Sequence, residues 1–257
     1  MEAAPNLKGR VALVTGSARR TGRVIAHKLA EAGASLVINA RSAAAEARAV
    51  AKEIENLHGK GRAIACVANV CDPAAVDAMV ALAISSYGRL DILVNNASVR
   101  RHGEFATYKL EDWHDILHTT LDGSFLCSRA AAPHLAHDKC GTIINIGGVA
   151  AHTGARNAAA MITAKAGLLG LTRALAYELG PMGITVNCVA PASMRSADDE
   201  PERIAQLNAL YGHEKTPMGR TGTMDEVSEA VVSLCGPAWR YMTGQVIHIN
   251  GGIFFGS

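Results

Sequence analysis

The chain has 257 residues, 49% of them hydrophobic, with a formal net charge of +2 and six cysteines. That length and apolar content suffice for one large α/β domain whose core needs neither disulfides nor metals. The near-zero charge and the 4% aromatic content argue against nucleic acid and anionic membranes as partners. Cys66, Cys71, Cys127, Cys140, Cys188 and Cys235 form no C-x-x-C pair and mostly fall in or beside apolar segments. They read as reduced, structural thiols of a cytoplasmic protein. The N-terminal residues Met1 to Lys8 lack an apolar signal core, and no run of about 18 apolar residues is present, so neither secretion nor a membrane span is expected.

In chain order, Val11 to Thr15 is a short apolar run closed by glycine, the pattern of a buried parallel strand. Val24, Ile25, Leu29 and Ala32 recur at helical spacing until Gly33 supplies a stop. Ser35 to Asn39 predicts a second strand, and Ser42 an N-cap for an alanine-rich helix running to about Leu57. Arg62 to Val67 predicts a third strand, followed by a helix opened by Asp72 and Pro73. Leu90 to Val94 predicts a fourth strand, then one long helix from about Glu111 to His137, then a fifth strand at Thr142 to Ile146. A helix from about Ala158 to Leu179, a strand at Ile184 to Val189, a helix at Met224 to Leu234 and a strand at Gln245 to Ile249 complete the pattern. Strands alternating with long helices predict a parallel sheet with helices on both faces. The stretch from 193 to 220, containing Ser193, Arg195, Pro201 and Pro217, is too long for an ordinary connection. It reads either as a substrate lid over the carboxyl edge of the sheet or as a loose surface insertion.

After the first strand comes Thr15-Gly16-Ser17-Ala18-Arg19-Arg20-Thr21-Gly22, directly ahead of a helix. Gly16 permits a tight turn, Gly22 close packing of helix on strand, and the helix N-terminus offers free N–H groups to a pyrophosphate. Taken with Asn95-Asn96-Ala97-Ser98, the Lys165 helix, Asn187 with Pro191, and the terminal Gly251-Gly252, this order of motifs resembles the short-chain dehydrogenase/reductase family over nearly the whole chain. The resemblance implies a Rossmann-type doubly wound parallel sheet of about seven strands in a single domain, residues 1–257, binding NAD(H) or NADP(H). It places Gly16, Ser17, Arg19, Arg20, Gly22, Asn69, Val70, Asn95, Ala97, Lys165 and Pro191 at the cofactor, with Lys165 on the nicotinamide ribose. The family's middle glycine is here Arg20, as in its pteridine-reductase-like branch. At the end of the second strand an acidic residue would bind a ribose 2′-hydroxyl, but Asn39-Ala40-Arg41-Ser42 has none. Arg41 and Ser42 are suited to a 2′-phosphate, which favours NADP(H), with NAD(H) as the alternative.

The family's chemistry uses a tyrosine acid four residues before the lysine, a serine thirteen before the tyrosine, and an asparagine in the fourth helix. Aligned on Lys165, these positions hold Met161, Gly148 and Thr120. A thioether is no proton donor and glycine has no hydroxyl. Enoyl-thioester reductases of the family carry methionine at that place with a tyrosine three residues earlier, which here is Ala158. His152, beyond the fifth strand, is either a substitute acid over the nicotinamide or a loop histidine. Arg100, Arg101 and His102 lie at the same edge, and Arg100 is a candidate for an anionic group. Trp113, Phe105 and Phe125 read as packing residues, and no metal-ligand spacing is found. The expected protein is an NADP(H)-dependent oxidoreductase for a small carbonyl or conjugated C=C substrate that works without the tyrosine, or else a catalytically impaired scaffold, sensor or partner subunit. A cofactor-independent isomerisation or elimination is a third possibility. A homotetramer or homodimer is expected from the resemblance, with the small residues Ala158 to Ala160, Ala164, Ala166 and Gly167 serving either helix packing between subunits or the core.

Overall fold

The computed structural model describes residues 5–196, 199–202, 204–206 and 216–256. Seven strands form one parallel sheet: β1 (Val11–Val14), β2 (Ser35–Ala40), β3 (Ala63–Val67), β4 (Ile92–Asn95), β5 (Thr142–Ile146), β6 (Thr185–Pro191) and, at the far edge, β9 (Val246–Ile249). Their order is β3-β2-β1-β4-β5-β6-β9 and every pairing is parallel. Side chains alternate across the central strands. Ala12, Val14, Ile92, Val94 and Ile144 enter one core with α1 (Arg20–Glu31), α2 (Ala44–His58) and α8 (Met224–Leu234). Val11, Leu13, Leu93, Ile143 and Val186 enter the other with α3 (Pro73–Tyr87), α5 (Gly123–Leu135) and the C-terminal part of α7 (Ala159–Leu179). A strand buried on both faces must be apolar throughout, which is why these segments are continuous apolar runs. This is the Rossmann-type doubly wound sheet that the sequence predicts. By length and composition alone α7 is apolar enough to cross a bilayer, but here it packs along β6.

Several boundaries differ from expectation. Ser42 does not cap α2, whose N-cap is Ala43 with no side-chain hydrogen bond. Asp72 does cap α3, accepting from Ala74 N and Ala75 N, with Pro73 in the first turn. The long helix expected from about Glu111 to His137 is interrupted. α4 (Leu110–Leu117) passes through a π-helical turn, His118–Asp122, into α5. The extra residue of a π turn rotates the side chains that follow it, and such turns gather at functional sites. Phe105 and Phe125 are 82% and 44% exposed and are not core residues as expected. Arg129 lies over the Phe125 ring at 5.6 Å, whereas Trp113 does pack, against a small cluster between α4 and α7. Of the small residues on α7, Ala160 and Ala164 serve the chain's own core while Ala166 is exposed.

Within the excursion from 193 to 220, β7 (Met194–Arg195) pairs in parallel with β8 (Gly222–Thr223). Residues 197–198, 203 and 207–215 of that expected lid lie outside the described residues. β8 leads into α8, whose start is fixed by a capping box. Thr223 accepts from Glu226 N, and the Glu226 carboxylate accepts from Thr223 N at 2.8 Å.

Candidate active site

The sheet order reverses between β1 and β4, and there the C-terminal strand ends open into a cleft of about 820 Å³. Hydrogen bonds from both neighbouring strands build its floor. Thr15 Oγ1 donates to Val94 O and accepts the N–H groups of Asn96 and Ala97, both at 3.0 Å. Asn39 accepts Gly16 N–H at 3.1 Å and donates to Ala68 O at 3.0 Å. Asn96 Nδ2 donates to Thr15 O at 2.9 Å and Gly16 O at 3.0 Å. Thr15 and Gly16 of the tight turn are thereby held from the side.

The two glycines have different reasons. Gly16 sits at φ +61, against Ala97. A Cβ on Gly22 would lie 2.5 Å from both Asn96 Nδ2 and Gly16 O, so nothing larger fits without breaking the turn. Arg20, at the family's middle-glycine position, keeps the left-handed conformation with φ +50, a backbone region that costs a side-chain-bearing residue roughly 1–2 kcal/mol. α1 has no side-chain cap and no acidic residue in its first turn. Its first N–H groups and positive dipole end therefore suit an anion.

Gly16, Gly22, Ala97 and Val70 line the cleft, as do Arg19, Arg20, Arg41 and Ser42. Arg41 is also 3.4 Å from Asp115. Five further expectations lie outside the cleft lining, Lys165 among them. Ser17 is buried beneath the turn, where its Oγ donates to Val14 O and accepts from Asn39 N. Asn69 does not line the cleft and accepts from Cys71 N in its own turn. Asn95 faces inward, donating to Asn145 Oδ1 at 2.9 Å and Ser128 Oγ at 3.0 Å. Pro191 lies outside the cleft lining, with its carbonyl accepting from Val149 N. Among the cleft residues missed in the sequence is Asn96, one position beyond Asn95. Side-chain direction alternates along a strand, so Asn95, the last residue of β4, points into the core. Asp199 is another omission: it lines the cleft and stands 3.8 Å from the Arg20 guanidinium.

At the chemical end, Lys165 is buried and its Nζ donates to Ile146 O at the end of β5. Burial, with the Arg100 guanidinium second, pushes its pKa down to about 8, while Cys188 acts in the opposite sense. Met161, one helical turn earlier, packs with Val99, Tyr108, Trp113 and Leu117 around Ile116, Ala160 and Ala164. Ala158 is buried, so the enoyl-reductase tyrosine position is core. A Cβ on Gly148 would meet only Pro191 O, at 4.0 Å, so the place of the serine is vacant rather than filled. Thr120, in the π turn, is buried with its Oγ1 3.2 Å from Ser98 Oγ, and Ser98 lines the cleft. Tyr108, distant in sequence, reaches the Met161 cluster, but its hydroxyl donates to Arg101 O at 3.0 Å.

His152 is not over the cofactor cleft. It stacks on Phe254 at 4.7 Å and meets His248 edge-on at 4.8 Å, in a separate cavity of about 850 Å³ between α7 and the chain end. The short helix after Gly148 turns its ring that way, a rotation that sequence spacing does not reveal. Arg101 is engaged with Asp112 and Asp115. Among the described residues, no three metal-ligating side chains are grouped.

The cleft at the strand ends is flanked by a corner that holds Lys165, Met161, Gly148 and the Thr120 hydroxyl, the last of these beside Ser98 of the cleft lining. A profile described as enoyl-(acyl carrier protein) reductase matches residues 16–254. The chain belongs to the short-chain dehydrogenase/reductase family of oxidoreductases. It is 38% identical over 249 residues to the (2S)-[(R)-hydroxy(phenyl)methyl]succinyl-CoA dehydrogenase subunit BbsD of Thauera aromatica, covering 96% of this chain and 97% of that one. It is also 38% identical over 248 residues to the 3-oxoacyl-[acyl-carrier-protein] reductase of Aquifex aeolicus, covering 96% and 98%. A solved structure described as a putative short-chain alcohol dehydrogenase from Sinorhizobium meliloti superposes with a TM-score of 0.89 at 35% identity, over 98% of both chains.

Proposed function

We propose that this protein is an NADP(H)-dependent oxidoreductase that acts on a small carbonyl or conjugated C=C substrate without a tyrosine acid. The observation that carries the reading is the pairing of an intact cofactor cleft with a buried Lys165 in a corner that lacks the usual donors. Arg19, Arg20 and Arg41 line the cleft around the uncapped start of α1. The end of β2 offers Arg41 and Ser42, with no carboxylate to repel a 2′-phosphate. The residues present therefore fit a nicotinamide dinucleotide: Gly16, Gly22 and the α1 N-terminus for the pyrophosphate, Arg41 and Ser42 for the 2′-phosphate, and Lys165 for the ribose. When bound and reduced, the nicotinamide supplies a hydride.

What the chain itself contributes is position and charge. Lys165, anchored on Ile146 O, holds a proton at Nζ. Met161 and its neighbours present an apolar wall that excludes water. With no tyrosine to deliver a proton, a substrate whose carbonyl is conjugated is the better match, because an enolate can be protonated on carbon afterwards by water. The 3-oxoacyl and acyl-CoA substrates named for the relatives support an acyl thioester as the carrier of the reacting carbonyl. Residues 193–220 are proposed as a lid within one domain of residues 1–257, a role that Asp199 beside Arg20 supports. A cytoplasmic homotetramer or homodimer fits the family.

The test is fluorescence titration with NADPH and NADH, followed by turnover on panels of enones, acyl thioesters, pteridine-like compounds and ketones. NADPH is expected to bind at least tenfold more tightly than NADH, with Arg41→Ala removing most of the difference. Tight NADPH binding with silence on every panel would instead support a second reading, a cofactor-loaded scaffold or partner subunit. The joint change of the Ser, Tyr and Asn positions favours that reading, and the Thauera relative is itself named as a subunit.

A further inference from the structure

The second cavity, of about 850 Å³, lies between the C-terminal half of α7, the edge strand β9 and the chain end, and it shares no lining residue with the cofactor cleft. Its size is that of a small-molecule site. His152 and His248 line it with their ring centroids 4.8 Å apart. Phe254 packs on both rings, at 4.7 Å from His152 and 5.0 Å from His248. Each imidazole has one nitrogen sealed from solvent, Nε2 of His152 and Nδ1 of His248, and neither has a hydrogen-bond partner among the described residues. Nδ1 of His152 and Nε2 of His248 are the nitrogens that remain for a ligand. A neutral imidazole carries one proton, and the tautomer protonated on that second nitrogen gives each ring a donor. Burial, with His152 second, lowers the pKa of His248 below 6.5, so that ring is neutral at pH 7.

The rest of the lining says what kind of ligand fits. Arg173 of α7 faces the same cavity, and among the described residues it has no ion pair or hydrogen bond. No lining residue is acidic. A guanidinium presents a rigid fork of donors that matches a carboxylate. Tyr177, one helical turn beyond Arg173, and Phe255 add two more aromatic rings, and both are exposed. Large aromatic side chains left in the open around a concave surface mark a binding site more often than they occur singly by chance. The cavity therefore combines one fixed positive charge, imidazole donors and flat apolar surface. We propose that it is a second ligand site, for an aromatic carboxylate. Arg173 pairs with the carboxylate, the imidazoles of His152 and His248 supply further donors, and the ring lies on Phe254, Phe255 and Tyr177. The site is independent of the function proposed above, because none of these residues touches the cofactor cleft.

The probe is 2-naphthoate, which is fluorescent and carries only a flat ring and a carboxylate. Titrated into the full chain without nucleotide, it is expected to saturate at one site per chain. The alcohol 2-naphthylmethanol keeps the ring without the charge and is expected to bind about tenfold more weakly, as for the loss of one hydrogen bond to a charged group. Arg173→Gln is expected to weaken 2-naphthoate by a similar factor, about tenfold, and to leave the alcohol unchanged. Phe255→Ala is expected to weaken acid and alcohol alike. Both positions are exposed, and circular dichroism with thermal melting checks that each variant is folded. Excess NADPH is expected to leave the probe in place, and displacement by NADPH would put the probe in the cofactor cleft and overturn the proposal. No binding, equal affinity for acid and alcohol, or an unchanged affinity in Arg173→Gln would overturn it too. So would sedimentation showing that a second copy of the chain closes this face and excludes the probe. A chain that binds 2-naphthoate in this way but no NADPH would sink the function proposed above and leave the second site standing.

Discussion

Restoring the missing donors gives the sharpest test of how the catalytic corner is read. In the double variant Gly148→Ser, Met161→Tyr the serine side chain enters space bounded only by Pro191 O at 4.0 Å, so it adds little strain. The tyrosine replaces a half-buried methionine beside Val99, Trp113 and Leu117, and the added bulk is expected to cost about 1–3 kcal/mol of stability. A protein with about 5–15 kcal/mol in hand tolerates that. Lys165 lies four residues on, one helical turn away, where its charge can lower the phenol's pKa. A positioned general acid is worth about 10²–10⁴ in rate, equivalent to about 3–5 kcal/mol of barrier. The gain in reactivity therefore exceeds the loss in packing. With ketones and 3-oxoacyl thioesters, kcat/KM followed by NADPH absorbance is expected to rise 10²–10⁴-fold in the double variant and less than tenfold in Gly148→Ser alone. If the double variant is folded, binds NADPH as the wild type does and still reduces no ketone, the alignment of Met161 and Gly148 with the acid and its partner is wrong.

Two further outcomes follow from the backbone and from burial. Arg20→Gly is expected to be about 1 kcal/mol more stable than Arg20→Ala, a Tm difference of about 2–4 °C, because both remove the ion pair to Asp199 but only glycine relieves the φ of +50. Equal midpoints in chemical denaturation would show that the turn carries no such strain. Burial, helped by His152, lowers the pKa of His248 below its ordinary 6.5. The unfolded chain then takes up the proton first as the pH falls, so stability is full above about 6.5 and declines below it. His27, also lowered by burial, contributes in the same direction. His248→Asn should flatten the decline of Tm between about pH 6.5 and 5, and a slope identical to wild type would refute the assignment.

Much of the architecture was legible in the sequence, for a physical reason. A strand buried on both faces has to be apolar along its whole length, and a crossover helix has to be apolar on one side, so Val11–Val14 or Ile92–Asn95 announce themselves. Gly22 was legible too, since the close approach of Asn96 and Gly16 O leaves no room for a Cβ. That Met161, Gly148 and Thr120 stand where the family has its tyrosine, serine and asparagine is implied by the resemblance, aligned on Lys165. Direction, however, depends on where a strand or helix stops. Asn95 and Asn96 are adjacent and alike, yet one is locked in the core by Asn145 and Ser128 while the other braces the turn. His152 sits four residues past Gly148, but the short helix aims it at Phe254, away from the cleft. The π turn that carries Thr120 has no signature in the hydrophobic pattern. Nor does the pattern bring Arg100 to Lys165 or Tyr108 to the Met161 cluster, because those neighbours come from segments more than 50 residues apart. The sequence by itself determined the sheet and the Gly-rich turn, which are written in local pattern and spacing. Only the tertiary structure decided which side chains surround Lys165 and which brace the Gly-rich turn, since that depends on how distant strand ends and helices converge.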